Sequence, residues 1–261
     1  MIEENILLVD ENALLEGSVI YEVIRVIDRK PLFLEEHLER MVSSLKHYSQ
    51  VKLDADLIKE KIFDTIKTNA MVNQNFRIEL GSIKVNSLCY KIFPVKSYYL
   101  ERETYYEGVK TITALKKRKN PLIKSKDLSF KKYINDLLEK FEAYEVILKD
   151  SAGKLHEGSR SNLFFVKDKT VITSKKGEAL EGITLKNVIK VIEDSPYTLE
   201  RRDVFMSDLE SLEGVFITGT SIDILPVKKI DEINYESVKN SVILDLMNKF
   251  KQLKLKSIGG M

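Results

Sequence analysis

The chain has 261 residues, 42 lysines and arginines against 40 acidic residues, and 43% hydrophobic side chains, apolar material enough for one large domain or two modest ones. A net charge of +2 leaves no overall field drawing the protein to nucleic acid or an anionic membrane, so a small-molecule partner is expected. A single cysteine, Cys89, excludes an internal disulfide and fits a reducing compartment.

The opening MIEENILLVDEN lacks the basic end, apolar stretch and small-residue cleavage site of a signal peptide. Nowhere do about eighteen apolar residues run together, so a soluble, cytoplasmic protein is expected. VIYEVIRVID (19–28) alternates and is rich in β-branched residues, which predicts a strand. After Pro31 the period changes. In LEEHLERMVSSLKHYS, Leu38, Met41, Val42, Leu45 and Tyr48 fall on one helical stripe, and Arg40 lies off it with His37 and Ser44 as neighbours. DADLIKEKIFDTIKTNA predicts a second helix. FRIELGSIK and SLCYKIFPVKSYYL predict strands joined by a Val-Asn link, with Cys89 a buried strand residue. Strand, helices, strands make an α+β unit.

KKRKNP, basic and ending in Pro121, reads as a solvated connection between domains; a nucleic-acid patch is the minority reading. Beyond it the pattern restarts with a helix from about Leu128 to Tyr144, then strands EVILKD, NLFFVK and TVITS joined by turns at SAGK and KDK. A helix opens at Gly-Ile-Thr. YTLERRDV as a strand, SDLESL as a short helix, GVFITGTS and ILPVKKI as strands, and an amphipathic terminal helix carrying Val238, Val242, Leu246 and Phe250 complete the chain.

Three stretches could carry chemistry. EGITLKNVIKVI offers Gly182, Ile183 and Thr184 at a helix start, where free N–H groups suit an anion; ordinary capping explains it too. GVFITGTSIDILPV ends a buried strand in Gly219, Thr220 and Ser221, a phosphate cradle or a plain turn. HEGSRSNLFFVK places Glu157 before an apolar strand, either at a site floor or in water. NPLIKSKDLSF adds Lys124 and Lys126. The scattered histidines 37, 47 and 156 and the lone cysteine make a metal site unexpected. Dinucleotide, Walker and nucleophile-elbow motifs do not occur. Two phosphate-grade turns, a lysine and an acid together suggest a phosphorylated cofactor that forms an imine, as pyridoxal 5'-phosphate does.

The chain also resembles the class IV aminotransferases, the fold-type IV pyridoxal-phosphate family that includes branched-chain and D-amino-acid aminotransferases and aminodeoxychorismate lyases. The resemblance rests on YEVIR (21–25), HLER (37–40), Ile-Lys-Ser (123–125), EGSRSNLF (157–164), Leu-Glu-Gly-Ile-Thr (180–184) and FITGTS ending in Pro-Val (216–227), in family order over nearly the whole chain. It implies that Lys124 forms the imine with the cofactor, while Lys126 is a surface residue. Arg40, Gly182, Ile183, Thr184, Gly219, Thr220 and Ser221 would hold the phosphate, with Leu180 on the ring. Glu157 would face the pyridine nitrogen and Tyr21 would line the substrate side.

The resemblance further implies an α/β (α+β) two-domain enzyme. Its small N-terminal α+β domain would cover 1–112, a linker 113–122, and a larger, barrel-like C-terminal cofactor domain 123–261, in a homodimer. The expected reaction is ping-pong amino transfer between a small amino acid and a 2-keto acid. The alternatives are a lyase releasing pyruvate with the same lysine and cofactor, and a non-catalytic pyridoxal-phosphate- or RNA-binding protein. Four departures from the family pattern leave the substrate open. Leu185 replaces the usual Arg, and Glu16-Gly17-Ser18 replaces a Gly-Asp turn. No Gly-Asn-Tyr follows Lys124, and GSIKVNSLCYK contains no Arg-x-His pair.

Overall fold

The computed structural model describes residues 16–47, 53–82, 88–97, 99–118 and 121–259. The opening MIEENILLVDEN, Tyr48 of the expected stripe, the Val85-Asn86 link, and Lys119 and Asn120 of the basic run lie outside the described residues. The chain divides into two compact units, Met1–Tyr98 with Ile123–Lys126 and Lys256–Met261, and Tyr99–Leu122 with Asp127–Leu255.

In the first unit, β1 (Glu16–Ile27) is flanked by β2 (Lys30–Pro31) and β3 (Gln74–Ser82), and β3 pairs with β4 (Leu88–Val95), all antiparallel. Two helices follow β2, α1 (Leu34–Leu45) and α2 (Ala55–Thr68). Alternation along the strands sends Ile20, Ile24, Val26, Phe76, Ile78 and Leu80 into one core with Leu38, Met41, Leu45, Ile58, Ile62 and Ile66 of the helices. Asp54 caps α2 by accepting from the Leu57 N–H at 2.9 Å. Cys89 is buried in β4, as its alternation predicts.

The Lys124 segment groups with this unit because backbone bonds tie it to β1. The Tyr21 N–H donates to the Lys124 carbonyl (3.0 Å) and the Lys126 N–H to the Val19 carbonyl (2.9 Å). Sequence spacing carries no sign of such a pairing, which joins residues about a hundred positions apart.

The second unit opens with α3 (Arg102–Glu107), which ends at Gly108 with φ +70, and β5 (Val109–Leu115), so the segment expected as a connection from 113 begins inside a strand. α3 buries none of its side chains, so no apolar stripe announces it. α4 (Leu128–Phe141) starts where Asp127 accepts from the Phe130 N–H at 2.8 Å. Strands β6 (Glu145–Lys149), β7 (Lys154–Gly158), β8 (Asn162–Lys167) and β9 (Thr170–Thr173) lead to α5 (Ile183–Glu193). Then come β10 (Thr198–Arg201), β11 (Val204–Phe205), a 3-10 turn at Met206–Ser211, β12 (Gly214–Gly219), β13 (Asp223–Ile230), β14 (Ile233–Asn234) and α6 (Ser241–Gly259), of which the residues up to Leu255 belong to this unit.

The strands form a mixed ten-stranded sheet in the order β10-β9-β8-β12-β13-β5-β6-β7-β11, with β14 on β13. The protein is thus α/β, as expected. The sequence pattern misses β5 and the two-residue β2 and β14, and it misses β7, where Lys154, His156 and Glu157 break the apolar signal although residues 155–158 are all buried.

Phe164 of β8 and Phe216 of β12 sit directly opposite in register and stack at 4.8 Å between ring centroids. Both are fully buried. Phe216→Ala is expected to cost about 3–5 kcal/mol, read from the midpoint of urea unfolding; a loss under about 1 kcal/mol would contradict this packing.

Candidate active site

In the first unit the alternation of β1 separates two neighbouring side chains. Glu22 faces α1 and is 1% exposed. There it meets both polar residues that one helical turn brings together: the Arg40 Nε donates to its Oε1 at 2.7 Å, Arg40 Nη2 to Oε2 at 2.5 Å, and His37 Nδ1 lies 2.8 Å from Oε2. Burial by itself would raise the Glu22 carboxyl. The Arg40 charge outweighs it, together with hydrogen bonds from His37 and Arg40, and holds the group down at about 2. Burial lowers His37 below the usual 6.5, against the pull of Glu22, with Arg40 and Lys124 adding to the lowering. Neutral His37 therefore donates through Nδ1–H.

Tyr21 points to the other side of the strand. Lys124 Nζ lies 4.9 Å from its ring centroid and the Arg77 guanidinium 4.0 Å. Arg77 Nε is itself 2.7 Å from Glu79 Oε1, which also takes Lys126 at 3.4 Å. Lys126 is exposed, as expected of it.

In the second unit Glu157 is buried in β7 at 3% exposure, so water is not its surroundings. Its Oε2 accepts from the Leu180 N–H at 3.1 Å, and its Oε1 lies 2.9 Å from Arg118 Nε. The turn after it is organised by another buried acid, Glu145, whose oxygens accept from Ser159 Oγ (2.5 Å), Ser161 Oγ (2.8 Å) and the Arg160 N–H (3.2 Å). A Cβ on Gly158 would lie 2.0 Å from Ser161 Oγ and 3.1 Å from Glu145 Oε2, so any side chain there would have to displace this pair.

Asn162 links the other predicted stretches. Its Nδ2 donates to the Leu180 carbonyl at 2.7 Å, and its Oδ1 would stand 2.2 Å from a Cβ on Gly182. Gly182 precedes α5 and supplies no side-chain cap, so the first-turn N–H groups of Ile183 and Thr184 stay outside the helix's own ladder. Across the sheet Asn162 is the register partner of Thr218, whose hydroxyl is buried without a hydrogen-bond partner. Gly219 follows directly as the last residue of β12, and Thr220 and Ser221 open the turn before β13.

Residues 19–230 match the sequence profile described as "Amino-transferase class IV". The chain belongs to the class IV aminotransferases. It is 28% identical over 255 residues to branched-chain-amino-acid aminotransferase-like protein 1 of Arabidopsis thaliana, covering 91% of this chain and 46% of that protein. The chain thus spans about half the length of that curated relative. To a protein of Methanocaldococcus jannaschii described as a putative branched-chain-amino-acid aminotransferase it is 29% identical, covering 94% of this chain and 90% of the relative. The fold matches the crystal structure of the Escherichia coli branched-chain amino acid aminotransferase with a TM-score of 0.80 at 24% identity, over 91% and 86% of the two chains.

Measured against the expectations for a class IV aminotransferase, the structure groups the predicted residues in two sets. Tyr21, Arg40 and Lys124 belong to the first unit; Glu157, Leu180, Gly182, Ile183, Thr184, Gly219, Thr220 and Ser221 belong to the second. Within the second, hydrogen bonds, close approach and register join Glu157, Leu180, Gly182 and the strand leading to Gly219.

One solvated reading is corrected: Arg118 of the basic run is engaged with Glu157. Arg40, off the apolar stripe of its helix, is nonetheless buried as the ion-pair partner of Glu22. Leu185, where the family usually has Arg, is buried in α5. Glu22, His37, Glu145, Asn162 and Arg118 escape the sequence reading. Glu22, His37 and Asn162 stand inside quoted motifs, but nothing in spacing tells which way they point. No group of three or more possible metal ligands occurs among the described residues, and none of their helices is long and apolar enough to cross a membrane.

The Glu22 cluster makes stability acid-sensitive. A carboxyl lowered from 4.5 to about 2 stabilises the fold fully above pH 4.5, and that contribution is lost as pH falls toward 2. Neutral buried His37 adds a loss that begins below its usual 6.5. Thermal midpoints should therefore drop on acidification, and Glu22→Ala, which breaks the buried Glu22–Arg40 pair, should cost about 3–5 kcal/mol at neutral pH. An unchanged midpoint profile in that variant would contradict the assignment.

Proposed function

We propose that the protein is a pyridoxal-5'-phosphate-dependent aminotransferase that exchanges an amino group between a small amino acid and a 2-keto acid. The carrying observation is Glu157, a buried carboxylate held by Arg118 and the Leu180 N–H where the family motif has the acid that faces the pyridine nitrogen. The residues present fit the cofactor's phosphate as well: an uncapped helix start at Gly182, and a buried, orphaned Thr218 hydroxyl leading into Gly219.

In this reading the N–H groups of Ile183 and Thr184 and the Thr184 hydroxyl bind the phosphate, with Gly182 allowing close approach. Gly219, Thr220 and Ser221 bind it from the β12–β13 turn. Arg40 contributes its charge, oriented by the two-point grip of Glu22. Leu180 packs on the ring, and Glu157 holds a proton at the pyridine nitrogen. Pyridoxal phosphate, when bound, supplies a ring that accepts the electrons left behind as the substrate's α-proton departs. Lys124 Nζ is the group that would hold the cofactor through its aldehyde and, when free, would take the substrate's α-proton and return it. Tyr21 lines the substrate side.

We place the enzyme in the cytoplasm as a homodimer. The exposed Leu115, Leu122, Leu128, Tyr133 and Phe141, on and around α4, support a subunit contact. Cys89, buried and the chain's single cysteine, supports a reducing compartment.

Borohydride reduction of the protein reconstituted with pyridoxal phosphate, followed by peptide mapping, should label Lys124. Lys124→Ala should lower the transamination rate by on the order of a thousandfold or more, with the circular dichroism spectrum retained. A near-normal rate in that variant rejects the assignment. Pyruvate release from aminodeoxychorismate without a keto-acid acceptor would identify the lyase instead.

A further inference from the structure

We propose that Arg118 is a positioning residue of this site, one that fixes the Glu157 carboxylate in a single orientation and in its charged form before the cofactor arrives. The inference rests on the cofactor reading above. Arg118 lies just past β5, in the run that sequence alone presents as solvated. Three contacts hold its guanidinium. Nε stands at ion-pair distance, 2.9 Å, from Glu157 Oε1 without aligning a hydrogen bond to it, Nη2 donates to the Ser159 carbonyl, and the Phe130 ring centroid of α4 is 4.7 Å away. A planar group held by an acid, a carbonyl and an aromatic face has little freedom to turn.

The consequence falls on Glu157. With Oε1 against Arg118 and Oε2 on the Leu180 N–H, the carboxylate is gripped at both oxygens and cannot rotate without losing one. A carboxylate at 3% exposure with no cation beside it would shed its charge by taking a proton, because desolvation costs the ion far more than the neutral acid. A neutral acid could not pair with a protonated ring nitrogen. Arg118 also ties Glu157 to the turn that Glu145 organises, since Ser159 gives its carbonyl to Arg118 and its hydroxyl to Glu145. Lysine cannot reproduce this. It carries the charge but not the planar guanidinium that lies over the Phe130 ring while donating to the Ser159 carbonyl.

Equilibrium binding of pyridoxamine phosphate, which has no aldehyde and so does not condense with Lys124, tests the inference without turnover. The proteins are wild type, R118M, R118K, E157Q and the R118M/E157Q double variant. R118M should weaken binding about tenfold while Glu157 is present and by no more than about twofold in the E157Q background, with R118K between wild type and R118M. Equal losses in the two backgrounds, or no loss in either, overturn the inference. Should R118M fail to fold by circular dichroism, R118K in the same two backgrounds carries the comparison with the same criterion. A wild-type protein that binds no pyridoxamine phosphate overturns the cofactor reading along with the inference. Weak binding by E157Q with unaltered binding by both Arg118 variants overturns only the inference.

Discussion

A carboxylate removed from water has to be met by cations or N–H and O–H donors at fixed positions, and much of this structure follows from meeting that demand. Glu22, Glu145 and Glu157 are almost fully buried. Each draws donors from elements distant in sequence or from a turn that has no other reason to take its shape. Glu22 gathers His37 and Arg40 from α1, Glu145 folds the Ser159–Ser161 turn around itself, and Glu157 is held between Arg118 and Leu180. Because unpaired burial of such a group costs several kcal/mol, these arrangements are rigid, and rigidity is what a site needs to orient a reacting group.

The apolar framework serves the same end by different means. In the four-stranded sheet, two-residue alternation places Ile20, Glu22 and Ile24 against the helices and leaves Tyr21 on the face where Lys124 and Arg77 lie close to its ring. One strand thus gives a charged clamp to one side and an aromatic surface to the other. In the ten-stranded sheet, the register of β8 with β12 sets Asn162 opposite Thr218 and Phe164 opposite Phe216. The same pairing that stacks two core rings therefore also aligns the Asn162 anchor of the Leu180–Gly182 loop with the strand that runs into Gly219.

Elements with a strong apolar period are legible in the sequence alone: β1, α1, α2, α4, β8, β12 and the start of α5. Those without one are not. α3 buries nothing, and the polar residues of β7 hide a strand that carries Glu157. Arg118 shows the same limit for the site. Within KKRKNP it is indistinguishable from its basic neighbours, and only the folded chain separates Arg118, set against Glu157 and Phe130, from Lys117, which stays exposed.

The order and spacing of short motifs were enough, by themselves, to point to the family and to single out Lys124 and Glu157, since those residue types are fixed by chemistry and are read one after another along the chain. Tertiary structure alone decided which charges are buried and what answers them: Glu22 for Arg40, Arg118 for Glu157, and the β1 backbone for the Lys124 segment. The reason is physical. Burial and pairing depend on groups brought together across tens of residues, and a local pattern of hydrophobicity contains no information about which distant side chain will face a given charge.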